Sequence, residues 1–211
     1  MIDPTKITNF ALNKYQLQEM AVFWVLVAGK TARTTARLLE NMLQRLHKEY
    51  DIPQLRPFDV IRMYDEDNPD GGLESLMKSC GFGCHRAKAR GLRDLISKRL
   101  DLKTCSVEQL ESVHCIGPKT ARCFVMHTRP NVRHAGLDTH LLKWLKSLGY
   151  KVPASTPTGK VYKRLESVFL AIADALEMSA AELDLAIWNA YSTGGEYKID
   201  TPNIKLPKQE V

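Results

Sequence analysis

The 211-residue chain carries 30 Lys and Arg against 24 Asp and Glu, a formal net charge of +6 with a pI near 9.0. At 44% hydrophobic and 26% charged residues it has the composition of a globular protein long enough to bury a core, which excludes a disordered chain. The positive balance favours polyanionic partners without identifying one.

Five cysteines, an odd number with no Cys-x-x-Cys pair, exclude a disulfide framework and suit a reducing compartment. The first residues show no basic segment leading into an apolar one, so no signal peptide is expected. The longest apolar run, Ala21 to Ala28, falls far short of the ~20 residues of a membrane helix. A protein inside the cell, cytoplasmic or associated with the nucleoid, is expected.

In chain order, the run from about Leu17 to Ala28 reads as a buried helix. A second helix, about Thr34 to Glu49, sets Leu38, Leu39, Met42, Leu43 and Leu46 at helical spacing. Pro53 and Pro57 break the chain, and Asp65–Gly72 reads as an acidic loop before a short helix over Leu73–Ser79. From Cys84 to Leu100 a basic helix follows, its Leu92, Leu95, Ile96 and Leu100 on one side. Arg86, Lys88, Arg90, Arg93, Lys98 and Arg99 lie largely elsewhere, as a solvated face or a polyanion-binding one.

Ser106 with Gln109 three residues on forms a capping-box pattern opening the next helix. His114-Cys-Ile-Gly-Pro118 is then a tight turn into a helix over Pro118–Thr128, stopped by Arg129-Pro130. Asp138 starts a helix carrying Leu141, Leu142, Leu145 and Leu148, closed by Gly149. A linker over Val152–Gly159 leads to helices at about Lys160–Leu176 and Ser179–Tyr191, and the tail from Gly194 reads as loosely structured. No strand pattern stands out, and the fold class is all-α.

The turn at 114–118 is the most specific local feature. Gly117 permits a close backbone approach or an unusual φ, and Pro118 suits the first helical position, where its missing N–H costs nothing. The free N–H groups of Lys119 and Thr120 then leave a helix start that carries partial positive charge, a site for a phosphate. A plain helical hairpin with a Gly-Pro turn satisfies the same pattern.

Leu110-Glu-Ser-Val-His-Cys-Ile-Gly-Pro-Lys-Thr-Ala121, followed by Gly136-Leu-Asp-Thr-His140, resembles the helix-hairpin-helix and aspartate signature of the endonuclease III superfamily of DNA glycosylases. Gly81-Phe-Gly-Cys-His-Arg-Ala-Lys-Ala89 resembles that family's Gly-aromatic-x-x-x-Lys-Ala segment, and Ala28–Ala36 falls where its first DNA-facing loop lies. The correspondence runs in order from about Leu17 to Tyr191.

The resemblance implies a two-lobed helical fold with the active-site cleft between the lobes. One lobe is expected over 30–135, with the hairpin at about 106–128. The other is expected from 1–29 plus 136–193, leaving 194–211 as a tail. It implies double-stranded DNA containing a damaged or modified base as partner, a monomer, and a base rotated out of the duplex at a cost of a few kcal/mol.

Cutting a base from its sugar gives C1′ oxocarbenium character, which a carboxylate stabilises. An amine that captures C1′ gives a Schiff base and permits strand cleavage. By resemblance Lys119 is that nucleophile, marking the branch with associated lyase activity, and Asp138 is the carboxylate and proton shuttle. To attack, Lys119 must lose its proton, and the positive charge of the helix start and of nearby Arg122 is expected to lower its pKa. The simpler readings are a phosphate contact for Lys119 and an N-cap for Asp138, which could also serve as both cap and catalyst. DNA contacts are expected at His114, Ile116, Gly117, Thr120, Arg122, Lys30, Arg86 and Lys88, the basic ones on the cleft rim.

Many relatives hold an iron–sulfur cluster on four C-terminal cysteines. Here no cysteine follows Cys123, so no cluster and no other cofactor is expected, which leaves open the cluster-free branches resembling 8-oxoguanine glycosylases. Cys80, Cys84 and His85 lack a fourth zinc ligand at usual spacing, so no metal is expected. Cys115 and Cys123 read as packing residues, and Trp24, Trp144 and Trp188 as core rather than base-stacking groups. Two alternatives remain: a non-catalytic helix-hairpin-helix DNA-binding protein, and a glycosylase-fold enzyme acting on hypermodified viral bases.

Overall fold

The computed structural model describes residues 2–52 and 55–199. Among them it holds ten α-helices and no strand: α1 Lys14–Leu26, α2 Ala32–Tyr50, α3 Pro57–Asp67, α4 Gly72–Ser79, α5 His85–Ser97, α6 Val107–Glu111, α7 Pro118–Thr128, α8 Thr139–Ser147, α9 Gly159–Ala175 and α10 Ala180–Ser192. A 3₁₀ turn, Pro4–Lys6, precedes α1.

The chain divides into two compact units. One is Ala11–Gly117 with the first few residues, and the other is Thr5–Phe10 with Pro118 onward. This division puts α1 with α2–α6, and puts α7 with α8–α10.

In the first unit α1 packs against α2, α3 and α5. Met20, Phe23, Val25 and Leu26 of α1 are buried, and so are Leu39, Leu43 and Leu46 of α2, Ile61 of α3 and Leu92 and Leu95 of α5. A helix apolar on nearly every side belongs inside a core, and α1 is placed so. Its start is set by a capping box in which Asn13 and Gln16 each receive the other's backbone N–H at 2.9 Å. Ser106 and Gln109 open α6 in the same way.

The chain around Pro57 departs from the sequence expectation. Pro57 does not break a helix; it occupies the first position of α3, where proline is tolerated. Asp65, Glu66 and Asp67 are helical, so the expected acidic loop shrinks to the residues between Asp67 and Gly72. Asp65 and Glu74 both accept from Arg93 of α5, at 2.7 and 2.8 Å, so the acidic cluster is the counter-charge of the basic helix. Pro53 lies outside the described residues.

In the second unit α10 packs on α7, α8 and α9 around Leu141, Trp144, Tyr162, Phe169, Ile172, Leu183 and Ile187. Trp144 meets the Phe169 ring edge-on at 6.4 Å between centroids. Tyr197 and Ile199 pack against this core, and the Tyr197 ring stands 6.2 Å from that of Trp144. The segment after Gly194 is therefore docked as far as Ile199, rather than loose; residues 200–211 lie outside the described residues. No helix of the described residues is long and apolar enough to cross a membrane.

Candidate active site

Asp138 stands where the sequence placed it, at the N-cap of α8. Its Oδ1 accepts from the backbone N–H groups of His140 and Leu141, at 2.8 and 2.9 Å. The loop leading to it is held by α9. The Tyr162 hydroxyl donates to the Ala135 carbonyl at 2.5 Å and accepts from the Leu137 N–H at 3.3 Å. Glu166 accepts from the Ala135 N–H at 3.0 Å. Gly136 is buried so tightly that a Cβ there would overlap Cys123 Sγ and stand 3.3 Å from Asp184 Oδ1. Only a residue without a side chain brings this loop against α7 and α10.

Lys119, in the first turn of α7, lies in the field of Asp138, Asp184 and Cys123. Burial favours its neutral amine, but the acidic neighbours outweigh burial and raise its pKa. Burial pushes the Cys123 thiol up as well. Asp138 is also raised, by burial first and by Asp184, against the opposing pull of Lys119 and the Leu141 N–H. The pair is a half-buried ammonium and carboxylate, each acting on the other's ionisation.

The expected depression of Lys119 by Arg122 does not occur, because Arg122 is engaged elsewhere. Its Nε donates to Glu166 at 3.0 Å, one terminal nitrogen donates to the Pro118 carbonyl at 3.1 Å, and the guanidinium lies 4.5 Å from the Tyr162 ring centroid. With 13% of its side chain exposed, Arg122 ties α7 to α9 instead of lining a rim. Cys123 packs as expected. Trp24 and Trp144 are buried as expected, while Trp188 is partly exposed.

The remaining candidates lie in the first unit, Thr120 excepted, which is half-buried in α7. The turn after α6 carries its positive φ at Cys115 (69°), not at Gly117. It is anchored by the His114 N–H donating to Asp94 at 2.7 Å and by Cys115 Sγ against the Ala87 carbonyl at 3.3 Å. Ile116 is buried, His114 half-buried, and Gly117 exposed with nothing within 4 Å of where a Cβ would stand. Lys30 is half-buried, with its Cε 3.7 Å from where a Gly83 Cβ would stand, and Arg86 is exposed. Lys88, expected on the rim, is only 2% exposed, its ammonium 5.9 Å from the Phe82 ring centroid. Burial, helped by Lys30, lowers its pKa.

Asp184, Glu166 and Tyr162 escaped the sequence reading. The one available signal for Asp184 was a carboxylate set between Leu183 and Ile187 in a largely apolar helix. Glu166 and Tyr162 carry no local mark, since their partners lie more than twenty residues away.

A half-buried lysine at a helix start, in the field of an aspartate that caps the next helix, forms a paired amine–carboxylate site in an all-helical fold. No family model matches the sequence. Solved structures do. The chain is similar to the 8-oxoguanine glycosylase/lyase of Methanocaldococcus jannaschii in complex with 15mer DNA containing 8-oxoguanine, at 21% identity and a TM-score of 0.64, covering 92% of this chain and 89% of that one. It is similar also to the 8-oxoguanine DNA glycosylase of Thermotoga maritima, at 20% identity and a TM-score of 0.64, covering 92% and 88%. The chain has the helical fold of these proteins.

Proposed function

We propose that the protein is a base-excision DNA glycosylase with associated lyase activity at abasic sites, with Lys119 as nucleophile and Asp138 as the carboxylate beside it. The observation that carries this reading is the pairing itself: an amine and a carboxylate from separate helix starts, sharing one half-buried site. A cap alone needs no lysine beside it, and a phosphate contact alone needs no buried carboxylate.

In this reading the Asp138 carboxylate faces C1′ as positive charge develops there. The Lys119 lone pair forms the Nζ–C1′ bond as the C1′–base bond breaks, its electron pair leaving on the base. Because the ammonium is stabilised in the free protein, its proton must leave when substrate is bound, and Asp138 takes it from Nζ and passes it to the departing base. Side chains alone perform the reaction, with no cofactor.

The half-exposed start of α7, with the N–H groups of Lys119 and Thr120, suits a DNA phosphate, and the exposed Gly117 leaves room for the backbone to approach it. His114, Lys30 and Arg86 are accessible for further contacts; Ile116 and Lys88 act from within the packing. The likeness to 8-oxoguanine glycosylases makes 8-oxoguanine the first substrate to test. Borohydride trapping of a DNA adduct, lost in Lys119→Gln, is the experiment that tests the assignment.

A further inference from the structure

Behind the Lys119/Asp138 pair runs a chain of polar groups with no part in the proposed chemistry. Asp184 Oδ2 lies 3.1 Å from His127 Nε2, and His127 Nδ1 lies 2.8 Å from the Thr8 hydroxyl. His127 is 2% exposed and the Asp184 side chain 13%, so both ring nitrogens are committed inside the protein. One arrangement satisfies every atom with a neutral ring: Thr8 donates to Nδ1, and Nε2–H donates to Asp184. The other Asp184 oxygen abuts Gly136, beside Cys123.

We propose that Asp184, oriented by His127 and Thr8, is a positioning residue that holds the Lys119 side chain between two carboxylates. The proposal deepens the reading above and rests on Lys119 being the reactive amine. Three observations carry it. Asp138 has one oxygen occupied by two backbone N–H groups and cannot by itself surround an ammonium. Asp184 comes from a different helix, α10, and its Oδ1 stands 3.3 Å from where a Gly136 Cβ would lie, a point that also meets Cys123, one turn beyond Lys119 on α7. Gly136 removes the side chain that would displace Asp184 and Cys123. A buried histidine with both nitrogens bonded also gives the carboxylate one orientation, as a second partner does for a catalytic base.

The groups facing Lys119 are Cys123 of α7, Asp138 before α8 and Asp184 of α10. Behind them stand His127 at Asp184, His140 at Asp138, and Tyr162 with Arg122 and Glu166 near Cys123. Removing the Asp184 charge while keeping an acceptor for His127, as Asp184→Asn does, takes away one of the influences that stabilise the ammonium.

The test is a titration of Lys119 in the intact protein by NMR of carbon-13-labelled lysines, its signal assigned by loss in Lys119→Gln. In Asp184→Asn the Lys119 midpoint is expected to fall by on the order of one pH unit. Strand cleavage of abasic DNA should show the same acid-ward shift of its rising pH limb, with little change in KM. A folded Asp184→Asn protein with an unchanged Lys119 midpoint overturns the proposal. Should that variant not fold, Thr8→Val decides, since it keeps every charge and frees the histidine. A smaller fall of the midpoint supports the proposal, and none overturns it. The NMR midpoint needs no catalysis, so it stands or falls apart from the trapping experiment that tests the glycosylase reading.

Discussion

A Cβ on Gly91 would stand 2.8 Å from the carbonyl oxygen of His114, so α5 reaches the hairpin turn only because position 91 has no side chain. The same Cβ would lie 3.1 Å from Val25 and 3.3 Å from Cys115. Gly91→Ala is expected to cost about 1–3 kcal/mol through overpacking. It should weaken DNA binding as well, because the turn that approaches the backbone must shift. Thermal denaturation and a salt-dependent binding titration check this; a variant as stable and as tightly bound as the parent would deny the turn its proposed contact.

Asp138 serves as cap and, in the account above, as catalyst, and the two roles separate by substitution. Asparagine caps a helix about as well as aspartate, whereas alanine costs about 1 kcal/mol. Asp138→Asn should therefore keep a melting temperature near that of the parent and still lose base excision by at least about a hundredfold. Asp138→Ala should lose both. Asp138→Asn with near-normal turnover would leave the residue as a cap alone.

Glu166 gathers Arg122, His134 and the Ala135 N–H. Burial alone would raise its carboxyl, but the His134 and Ala135 hydrogen bonds and the Arg122 guanidinium outweigh it and leave the pKa lowered. A carboxylate with a lowered folded-state pKa contributes stability above its unfolded value, about 4.3, and loses it as pH falls through the folded one. Glu166→Gln should thus be less stable than the parent by about 1.5–3 kcal/mol at neutral pH. The difference should close in acid, measured by urea denaturation from neutral pH to below pH 4. A gap that persists unchanged would mean that packing, not charge, is what Glu166 supplies.

The raised pKa of Lys119 has a kinetic consequence. The neutral fraction of the free amine grows tenfold per pH unit below its pKa, which lies above the ordinary lysine value of about 10.4. If deprotonation precedes attack, cleavage of abasic DNA should climb steadily with pH and reach no plateau below about pH 10. A plateau near neutrality would show that bound DNA, or another group, lowers the Lys119 pKa.

The chain's local grammar exposed most of the helices, but not the partners of its charges. Pro118, Ser106 with Gln109, and Asp138 act through neighbours within four residues, and the helices they open begin where expected. Helix α3 was hidden because Pro57 punctuates in two ways, as breaker and as first helical residue, and because Asp65 and Asp67 read as turn residues. The basic face of α5 illustrates the larger difficulty. Arg93 is neutralised by Asp65 and Glu74, and Lys88 is folded inward, while Arg86 stays exposed, and nothing in the spacing distinguishes the three. Arg122 and Asp184 are governed by residues 44 and 57 positions away, which only the fold brings near.

The most direct test of the central claim is borohydride trapping on duplexes carrying 8-oxoguanine or a single abasic site. A covalent protein–DNA adduct is expected, and it should disappear in Lys119→Gln while DNA binding is retained. Tight binding with no adduct on any substrate, or an adduct that survives the loss of Lys119, would contradict the claim.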